Sequence, residues 1–380
     1  METWSVHHLS QQATSVLGKS IAQDLTSYAQ RLRRSGLPVV FTLRHLSRIV
    51  GVDYSLLRAS VERRRESANY RMFAIKKRSG GRRHIHAITG DLFKAQQFIN
   101  AEILQKLNPH PASFAFHPGG GIRACAAAHC GARWLFQYDL SDFFHSISEA
   151  DAYKVFFTAG YRPLLAFELA RICTTTRLPD HLKHHLWAHR AWRDYKFYGD
   201  HTHAMGVLPQ GAPTSPMLSN LAAHHLDIVL TEFADRHGMS YTRYADDLTL
   251  STSSDLPDGM SIGNIHRAVI GIIRKSGFQE NKKKIRIAGP GSKKIVLGLL
   301  VDGTAPRLSK ETYKRIDRHL HATQKYGLAN VASHEGFDSP LGFYNHLSGL
   351  IAFVKDVDLV RWKEFHDQFS KIESPMNGGV

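Results

Sequence analysis

The sequence of 380 residues has few features of a membrane or secreted protein. No apolar run reaches the roughly 18 residues that a membrane-spanning helix needs. The first residues also lack the basic and apolar pattern of a signal peptide. The three cysteines, Cys125, Cys130 and Cys173, are too few for a disulfide framework or a four-cysteine zinc site. These absences predict a protein of the reducing cytoplasm that has no membrane partner.

Acidic residues are outnumbered by basic ones, which gives a formal net charge of +16 and a pI of about 9.8. Such a protein is expected to bind polyanions. The segment from Arg58 to Arg83 has ten Lys and Arg against two acids, and Arg274 to Lys325 has fourteen against four. Two basic regions flank a nearly neutral middle. This distribution predicts an enzyme that grips nucleic acid on both sides of a catalytic centre.

Apolar spacing and turn residues indicate mixed secondary structure without an internal repeat. Helices are predicted within residues 17–68, with a break at Pro38, at 91–107, and within 309–370, with breaks at Pro340 and at glycines. Strands are predicted at 72–75, 84–88, 132–138, 239–244 and 248–251.

The first chemical signal is Tyr244-Ala245-Asp246-Asp247-Leu248, between two predicted strands. Adjacent carboxylates repel each other, so a folded protein keeps them only where something compensates their charge. Mg²⁺ is a hard cation that prefers such oxygen ligands. For an isolated Asp-Asp pair a simple polar hairpin turn is the commoner explanation.

The second signal is Asp139, which ends an apolar strand and lies 107 positions before Asp246. Only the fold can bring these acids together. Two metal ions about 4 Å apart could then activate a 3′-hydroxyl and stabilise leaving pyrophosphate. Asp142 is a competing acid, for which a surface loop position is predicted.

The third signal is the segment 208–216, Leu-Pro-Gln-Gly-Ala-Pro-Thr-Ser-Pro, which opens an apolar helix. Proline and glycine fix the loop, and Ser215-Pro216 predicts a helix cap followed by the first turn. Taken alone, this pattern indicates no more than a well-capped helix.

In this order the three signals resemble palm motifs A, B and C of reverse transcriptases, over about residues 70–301. The resemblance implies a right-hand polymerase of the α+β class, with fingers, an antiparallel palm and a helical thumb. The implied domains are N-terminal helices and fingers at 1–130, a palm at 131–302 with an inserted helical segment at about 174–205, and a thumb with a C-terminal tail at 303–380.

The resemblance also implies roles for single residues. Lys77 and Arg83 would hold the incoming triphosphate, and Gln210 would touch nucleotide and template. Phe144 would exclude a 2′-hydroxyl and so select deoxynucleotides over ribonucleotides, whereas Phe143 fits a core position. Lys284 would protonate pyrophosphate, with its neighbour Lys283 as the alternative.

Two Mg²⁺ ions, or Mn²⁺ in their place, are the implied cofactors. Their implied ligands are Asp139, Leu140, Asp246 and Asp247. Residues 295–299 resemble the turn that seats the primer end, and the thumb follows from residue 307. Nucleic-acid contacts are expected from Arg78, Arg82, Lys282, Lys283, Arg307, Lys310, Lys314 and Arg315.

The sequence of residues 210–216, Gln-Gly-Ala-Pro-Thr-Ser-Pro, is most similar to the corresponding motif of retron reverse transcriptases. These copy part of their own structured noncoding RNA from a guanosine 2′-hydroxyl and leave a branched RNA–DNA hybrid (msDNA). They typically serve antiphage defence with an effector protein encoded nearby.

Two departures from the retron pattern keep alternatives open. Residues 125–129 are Cys-Ala-Ala-Ala-His where Asn-Ala-x-x-His is usual, and 296–298 are Val-Leu-Gly where Val-Thr-Gly is usual. Other defence-associated or intron-like reverse transcriptases therefore remain possible, as does an RNA-binding scaffold or antitoxin with a polymerase fold.

The segment 174–205 is rich in histidine and tryptophan. His185 and His189 could share a helical face and bind zinc. Since no cysteine pair or carboxylate has ligand spacing there, a surface for RNA or a partner protein is the favoured interpretation.

Overall fold

The computed structural model describes residues 5–76, 82–182, 205–256 and 259–375. It begins with helices that were predicted in outline, although the first starts before residue 17. They are α1 (Val6–Leu17), α2 (Lys19–Arg34), α3 (Leu43–Val50), α4 (Tyr54–Val61) and α5 (Glu66–Asn69). The break at Pro38 is confirmed. Thr42 caps the start of α3, because its side chain accepts a hydrogen bond from the His45 amide.

Two antiparallel strands follow, β1 (Tyr70–Lys76) and β2 (Arg82–Ile88), which confirm the strands predicted at 72–75 and 84–88. The next predicted helix starts as α6 (Gly90–Phe98) and continues as a π-helical turn, Ile99–Ile103, and a 3₁₀ turn, Leu104–Lys106. Helix α7 (Ile122–Ala127) then leads into the central sheet.

The central sheet is antiparallel and contains β3 (Trp134–Asp139), β4 (Ser240–Tyr244), β5 (Asp247–Thr252) and β6 (Arg286–Ala288), in the order β4-β5-β3-β6. The predicted strands are confirmed, and β6 was not predicted. The connecting helices are α8 (Glu149–Thr158), α9 (Pro163–Cys173), α10 (Ser215–Ala222), α11 (His224–Arg236) and α12 (Ile262–Lys275).

Alternating residues of β3 face two different cores. Phe136 and Tyr138 belong to the main core with the connecting helices, whereas Leu135 belongs to a second core with the C-terminal region. This follows from the period of two in a strand, which sends successive side chains to opposite faces.

The C-terminal region consists of a short hairpin, β7 (Ile295–Val296) and β8 (Leu299–Leu300), and a group of helices. These are α13 (Lys310–Tyr326), α14 (Leu328–His334), α15 (Pro340–Lys355) and α16 (Leu359–Phe369), with the predicted breaks at glycine and Pro340. None of the helices in the part of the chain that the structure describes has both the length and the hydropathy for crossing a bilayer. The domain limits at 130 and 302 stay a prediction.

The predicted cap of α10 is wrong. Thr214 occupies the cap position without a side-chain hydrogen bond, and Ser215 is already helical. The Ser215 hydroxyl instead donates to the Pro209 carbonyl at 2.7 Å, which fixes the preceding loop. Pro216 stands in the first turn as predicted.

A buried histidine holds α7 against the central sheet. His129 hydrogen-bonds through Nδ1 to Ser251 Oγ at 2.7 Å and through Nε2 to Thr242 Oγ1 at 2.8 Å. The Cys125 thiol lies 3.2 Å from the same Thr242 hydroxyl. The unusual cysteine of the 125–129 segment therefore supplies a polar contact to this cluster.

The burial of His129 predicts a loss of stability in acid. Desolvation lowers the pKa of His129 to about 4, whereas an unfolded histidine has a pKa of about 6.5. The unfolded state therefore binds the proton first, and stability falls as the pH drops from 6.5 towards 4. Between pH 7 and 4.5, the urea-derived unfolding free energy should fall by about 2–3 kcal/mol more in the wild type than in His129→Gln.

The matched control is His225→Gln, because His225 is exposed on α11. Its acid loss should equal that of the wild type. An equal loss in His129→Gln and the wild type would contradict the prediction.

Candidate active site

Antiparallel pairing brings the three predicted acids together. In the register of β3 and β5, Asp139 is the partner of Asp247. Asp246 lies in the turn before β5, and its carbonyl accepts a hydrogen bond from the Leu140 amide at 2.9 Å. Asp142, the competing acid, is exposed and has a left-handed backbone with a φ of 48°.

Burial and the neighbouring carboxylates raise the pKa values of Asp246 and Asp247. Burial, and then the charge of Asp139, raises the pKa of Asp246. Asp247 is exposed, but its pKa is raised to about 6, chiefly by partial desolvation of its carboxylate. The negative charges of Asp246 and Asp139 contribute to this rise. The positive charges of Lys284, Arg83 and Arg286 act in the opposite direction.

Asp139 is 4% exposed, and two side chains from the 3₁₀ turn Lys282–Lys284 and the residue before it occupy its oxygens. Lys284 Nζ lies 2.6 Å from Oδ2, and Asn281 Nδ2 donates to Oδ1 at 3.0 Å. The Asn281 amide also donates to the Asp139 carbonyl at 2.7 Å. The structure thus favours Lys284 over Lys283 as the residue that reaches Asp139, and it adds Asn281, which no sequence pattern indicated.

The carboxylate oxygens of Asp139, Asp246 and Asp247 suit hard cations such as Mg²⁺ or Mn²⁺. Among the described residues, no three His, Cys, Asp or Glu side chains are grouped as a ready metal site. The contacts of Asp139 with Lys284 and Asn281 agree with that finding. Burial, followed by repulsion from the neighbouring carboxylates, raises the pKa values of Asp246 and Asp247, and a bound cation would relieve that repulsion. The ligand set Asp139, Leu140, Asp246 and Asp247 therefore stays a prediction.

A cavity of ≈ 240 Å³ adjoins the acids. Asp247 and Lys284 line one part of it, and Leu297 and Gly298 of the β7–β8 turn line another. The predicted seat of a primer end is thus beside the carboxylates, although that role stays a prediction.

The structure describes Arg83, Phe144 and Gln210 among the residues predicted to bind the nucleotide, and Arg83 is exposed on β2. Phe143 is buried in the main core, and Phe144 is half-buried, with its ring centroid 6.2 Å from that of Phe116. Gln210 is held against β2, since its carbonyl accepts a hydrogen bond from the His86 amide at 2.8 Å. Lys77 lies outside the described residues.

The predicted nucleic-acid contacts are exposed wherever the structure describes them. These are Arg82, Lys282, Lys283, Arg307, Lys310, Lys314 and Arg315. Arg307 is paired with Asp302 at 2.9 Å. Arg78 lies outside the described residues, as does most of the histidine-rich segment, including His185 and His189.

Comparisons with known proteins agree with this geometry. The family described as reverse transcriptase (RNA-dependent DNA polymerase) matches residues 75–301. The retron Mx65 reverse transcriptase of Myxococcus xanthus is 34% identical, over 88% of this chain and 72% of its own. The retron Ec86 reverse transcriptase of Escherichia coli is 29% identical, over 90% of this chain and 93% of its own. The match, with the antiparallel sheet and its helices, confirms the predicted right-hand polymerase fold.

The arrangement of Asp139, Asp246 and Asp247 predicts a divalent-cation site, whose affinity can be measured without following any reaction. Mn²⁺ binding followed by electron paramagnetic resonance should weaken by about tenfold or more in Asp246→Asn, because a charged oxygen ligand is lost. Asp142→Asn is the matched control and should bind as the wild type does. Unchanged affinity in Asp246→Asn, or an equal loss in Asp142→Asn, would refute the site.

Proposed function

Since the chain belongs to the reverse transcriptase family and is of the retron type, we propose that it copies part of its own structured noncoding RNA into DNA and leaves a branched RNA–DNA hybrid (msDNA). The protein is an RNA-directed DNA polymerase. The observation that supports the finer proposal is the pairing of Asp139 with Asp247 beside exposed basic side chains, in a chain similar to retron enzymes over most of its length.

In the proposed reaction a guanosine 2′-hydroxyl of the RNA attacks the α-phosphate of the first deoxynucleoside triphosphate. A phosphodiester bond forms, the bond from the α-phosphorus to the bridging oxygen breaks, and the hydroxyl proton is released. Pyrophosphate leaves with the electron pair. Later additions use the 3′-hydroxyl of the growing DNA in the same way.

Mg²⁺ bound by Asp139, Asp246, Asp247 and Leu140 would supply Lewis acidity for the attacking and leaving oxygens. Lys284 would donate a proton to pyrophosphate. Burial alone would lower the pKa of Lys284, but its hydrogen bond with Asp139, together with that residue's charge, raises it above the usual range. Lys284 therefore stays protonated, as a proton donor must.

Recognition of the substrates would divide between the two sides of the acids. Lys77 and Arg83 would pair with the triphosphate, for which a guanidinium is well suited. Gln210 would contact nucleotide and template, and Phe144 would exclude the 2′-hydroxyl of a ribonucleotide. The exposed basic side chains of the 3₁₀ turn Lys282–Lys284 and of α13 would bind the phosphates of the RNA and of its hybrid with DNA.

The partners are proposed by the same reasoning. The enzyme would bind its noncoding RNA in the cytoplasm and remain with the RNA–DNA product. An effector protein encoded nearby would complete an antiphage system.

The proposal is tested by expressing the protein in cells with its native flanking DNA, purifying it, and sequencing the nucleic acid that copurifies. The wild type should yield DNA joined to RNA at a 2′ branch, whereas Asp246→Asn with Asp247→Asn should yield the same RNA without DNA. The reason is that the variant loses the carboxylates of the reaction and keeps the basic surface that binds phosphates.

Asp142→Asn serves as the control and should give wild-type amounts of hybrid. Loss of RNA from the double variant would mean that the acids serve RNA binding or folding. RNA without DNA in the wild type would favour a scaffold or antitoxin, and unbranched DNA would indicate another type of reverse transcriptase.

The position of Phe144 generates a second prediction. In Phe144→Ala, discrimination against ribonucleotides should fall by roughly 10- to 200-fold in primer extension, because removing a steric block changes transition-state binding of the 2′-hydroxyl. Phe157→Ala, at an exposed position on α8, should leave discrimination unchanged. Wild-type discrimination in Phe144→Ala would refute the assignment.

A further inference from the structure

A fully buried ion pair lies directly behind the turn that presents Asp246 and Asp247. Arg243, the last residue but one of β4, and Asp227 of α11 are both 0% exposed. Their contact is bidentate, with Arg243 Nε 2.8 Å from Oδ1 and Nη2 2.6 Å from Oδ2 of Asp227. Burying two charges is costly, and such a pair is weak evidence for a purely stabilising role.

The remaining nitrogen of the guanidinium reaches the turn itself. Arg243 Nη1 donates to the Ala245 carbonyl at 3.2 Å and to Asn220 Oδ1 at 3.0 Å. Ala245 has a φ of 55°, a left-handed conformation that is unfavourable for any residue with a Cβ. Because Ala245 directly precedes Asp246, the direction of its peptide unit sets the direction of the acids.

The same arginine connects the turn to the surrounding elements. Asn220 of α10 donates through Nδ2 to the Ala115 carbonyl at 2.5 Å. The Arg243 amide donates to the Ala112 carbonyl at 2.7 Å, and its carbonyl accepts from the Phe114 amide at 2.8 Å. The turn is thereby tied to the helix of the 208–216 motif and to the loop at 112–115.

The guanidinium carbon also lies 5.8 Å from the centre of the Phe143 ring, next to the predicted sugar-selecting Phe144. The hydroxyl of Tyr241 donates to Asp227 Oδ1 at 2.9 Å, which further satisfies the carboxylate. A lysine could not reproduce these contacts, since it lacks the planar fork that serves several acceptors at once.

We propose that Arg243 is a positioning residue, which Asp227 fixes in place and which holds the left-handed Ala245 peptide so that Asp246 and Asp247 face Asp139. The inference rests on the proposed function, because it concerns the same acids. It predicts that Arg243 affects cation affinity and the chemical step without touching a substrate.

The test is Arg243→Lys, with Mn²⁺ affinity measured by electron paramagnetic resonance and the single-turnover rate measured on preformed RNA–primer complexes. Mn²⁺ affinity should fall roughly tenfold, as for other residues that orient metal ligands. The Mg²⁺ concentration for half-maximal rate should rise by a similar factor, with little change in the KM for deoxynucleotides. Ala245→Gly in the Arg243→Lys protein should recover part of the rate, because glycine adopts a positive φ without strain.

The matched control is Arg63→Lys, since the Arg63 side chain is only 8% exposed and pairs with Glu149 of α8. It should lower the melting temperature without changing Mn²⁺ affinity or the Mg²⁺ requirement. Unchanged cation affinity in Arg243→Lys, or an equal change in Arg63→Lys, would overturn the proposal.

Should Arg243→Lys fail to fold, Asn220→Ala replaces it. This variant removes one acceptor of Nη1 without unpairing a charge, and it should shift both cation readouts in the same direction by a smaller factor. Failure of the proposed function is separately visible, because a wild type that makes no branched hybrid still reports on Arg243 through Mn²⁺ affinity.

Discussion

Repulsion among three carboxylates is the constraint around which this molecule is built. Separate parts of the chain supply Asp139 and Asp247, and the ladder between β3 and β5 sets them opposite each other. A one-residue slip of that register would turn the acids to opposite faces of the sheet. The register is fixed because Phe136 and Leu250, which are partners on the same strands, are both buried in the main core.

The charge that is paired with Asp139 comes from the other neighbour of β3. Strand β6 pairs with β3, and the 3₁₀ turn just before β6 places Lys284 on Asp139. On the far side, β4 carries Arg243 beneath the turn. The strand order β4-β5-β3-β6 therefore places the Lys284 ammonium against Asp139 on one side, and on the other side the Arg243 guanidinium, whose charge is paired with Asp227, behind the turn.

The sequence predicted the elements that local patterns determine. Strands β1 to β5 and the C-terminal helices followed from periodicity and turn residues, and the acids followed from a shared motif order. The contacts of Asn281, Asp227 and Arg243 could not be predicted, because tertiary packing alone decides which polar groups meet. The predicted cap of α10 was wrong for a related reason, because the Ser215 hydroxyl donates a hydrogen bond to the Pro209 carbonyl in the preceding loop instead of capping its own helix.

The departure from the retron pattern at 296–298 also has a physical explanation. Leu297 and Gly298, with φ values of 49° and 85°, form the centre of the β7–β8 turn. Two positive φ values are what a type I′ hairpin requires, and a leucine there is strained. Leu297 packs against the second core, and that burial offsets the strain. The hairpin is thus anchored to the C-terminal helices while it lines the cavity beside Asp247.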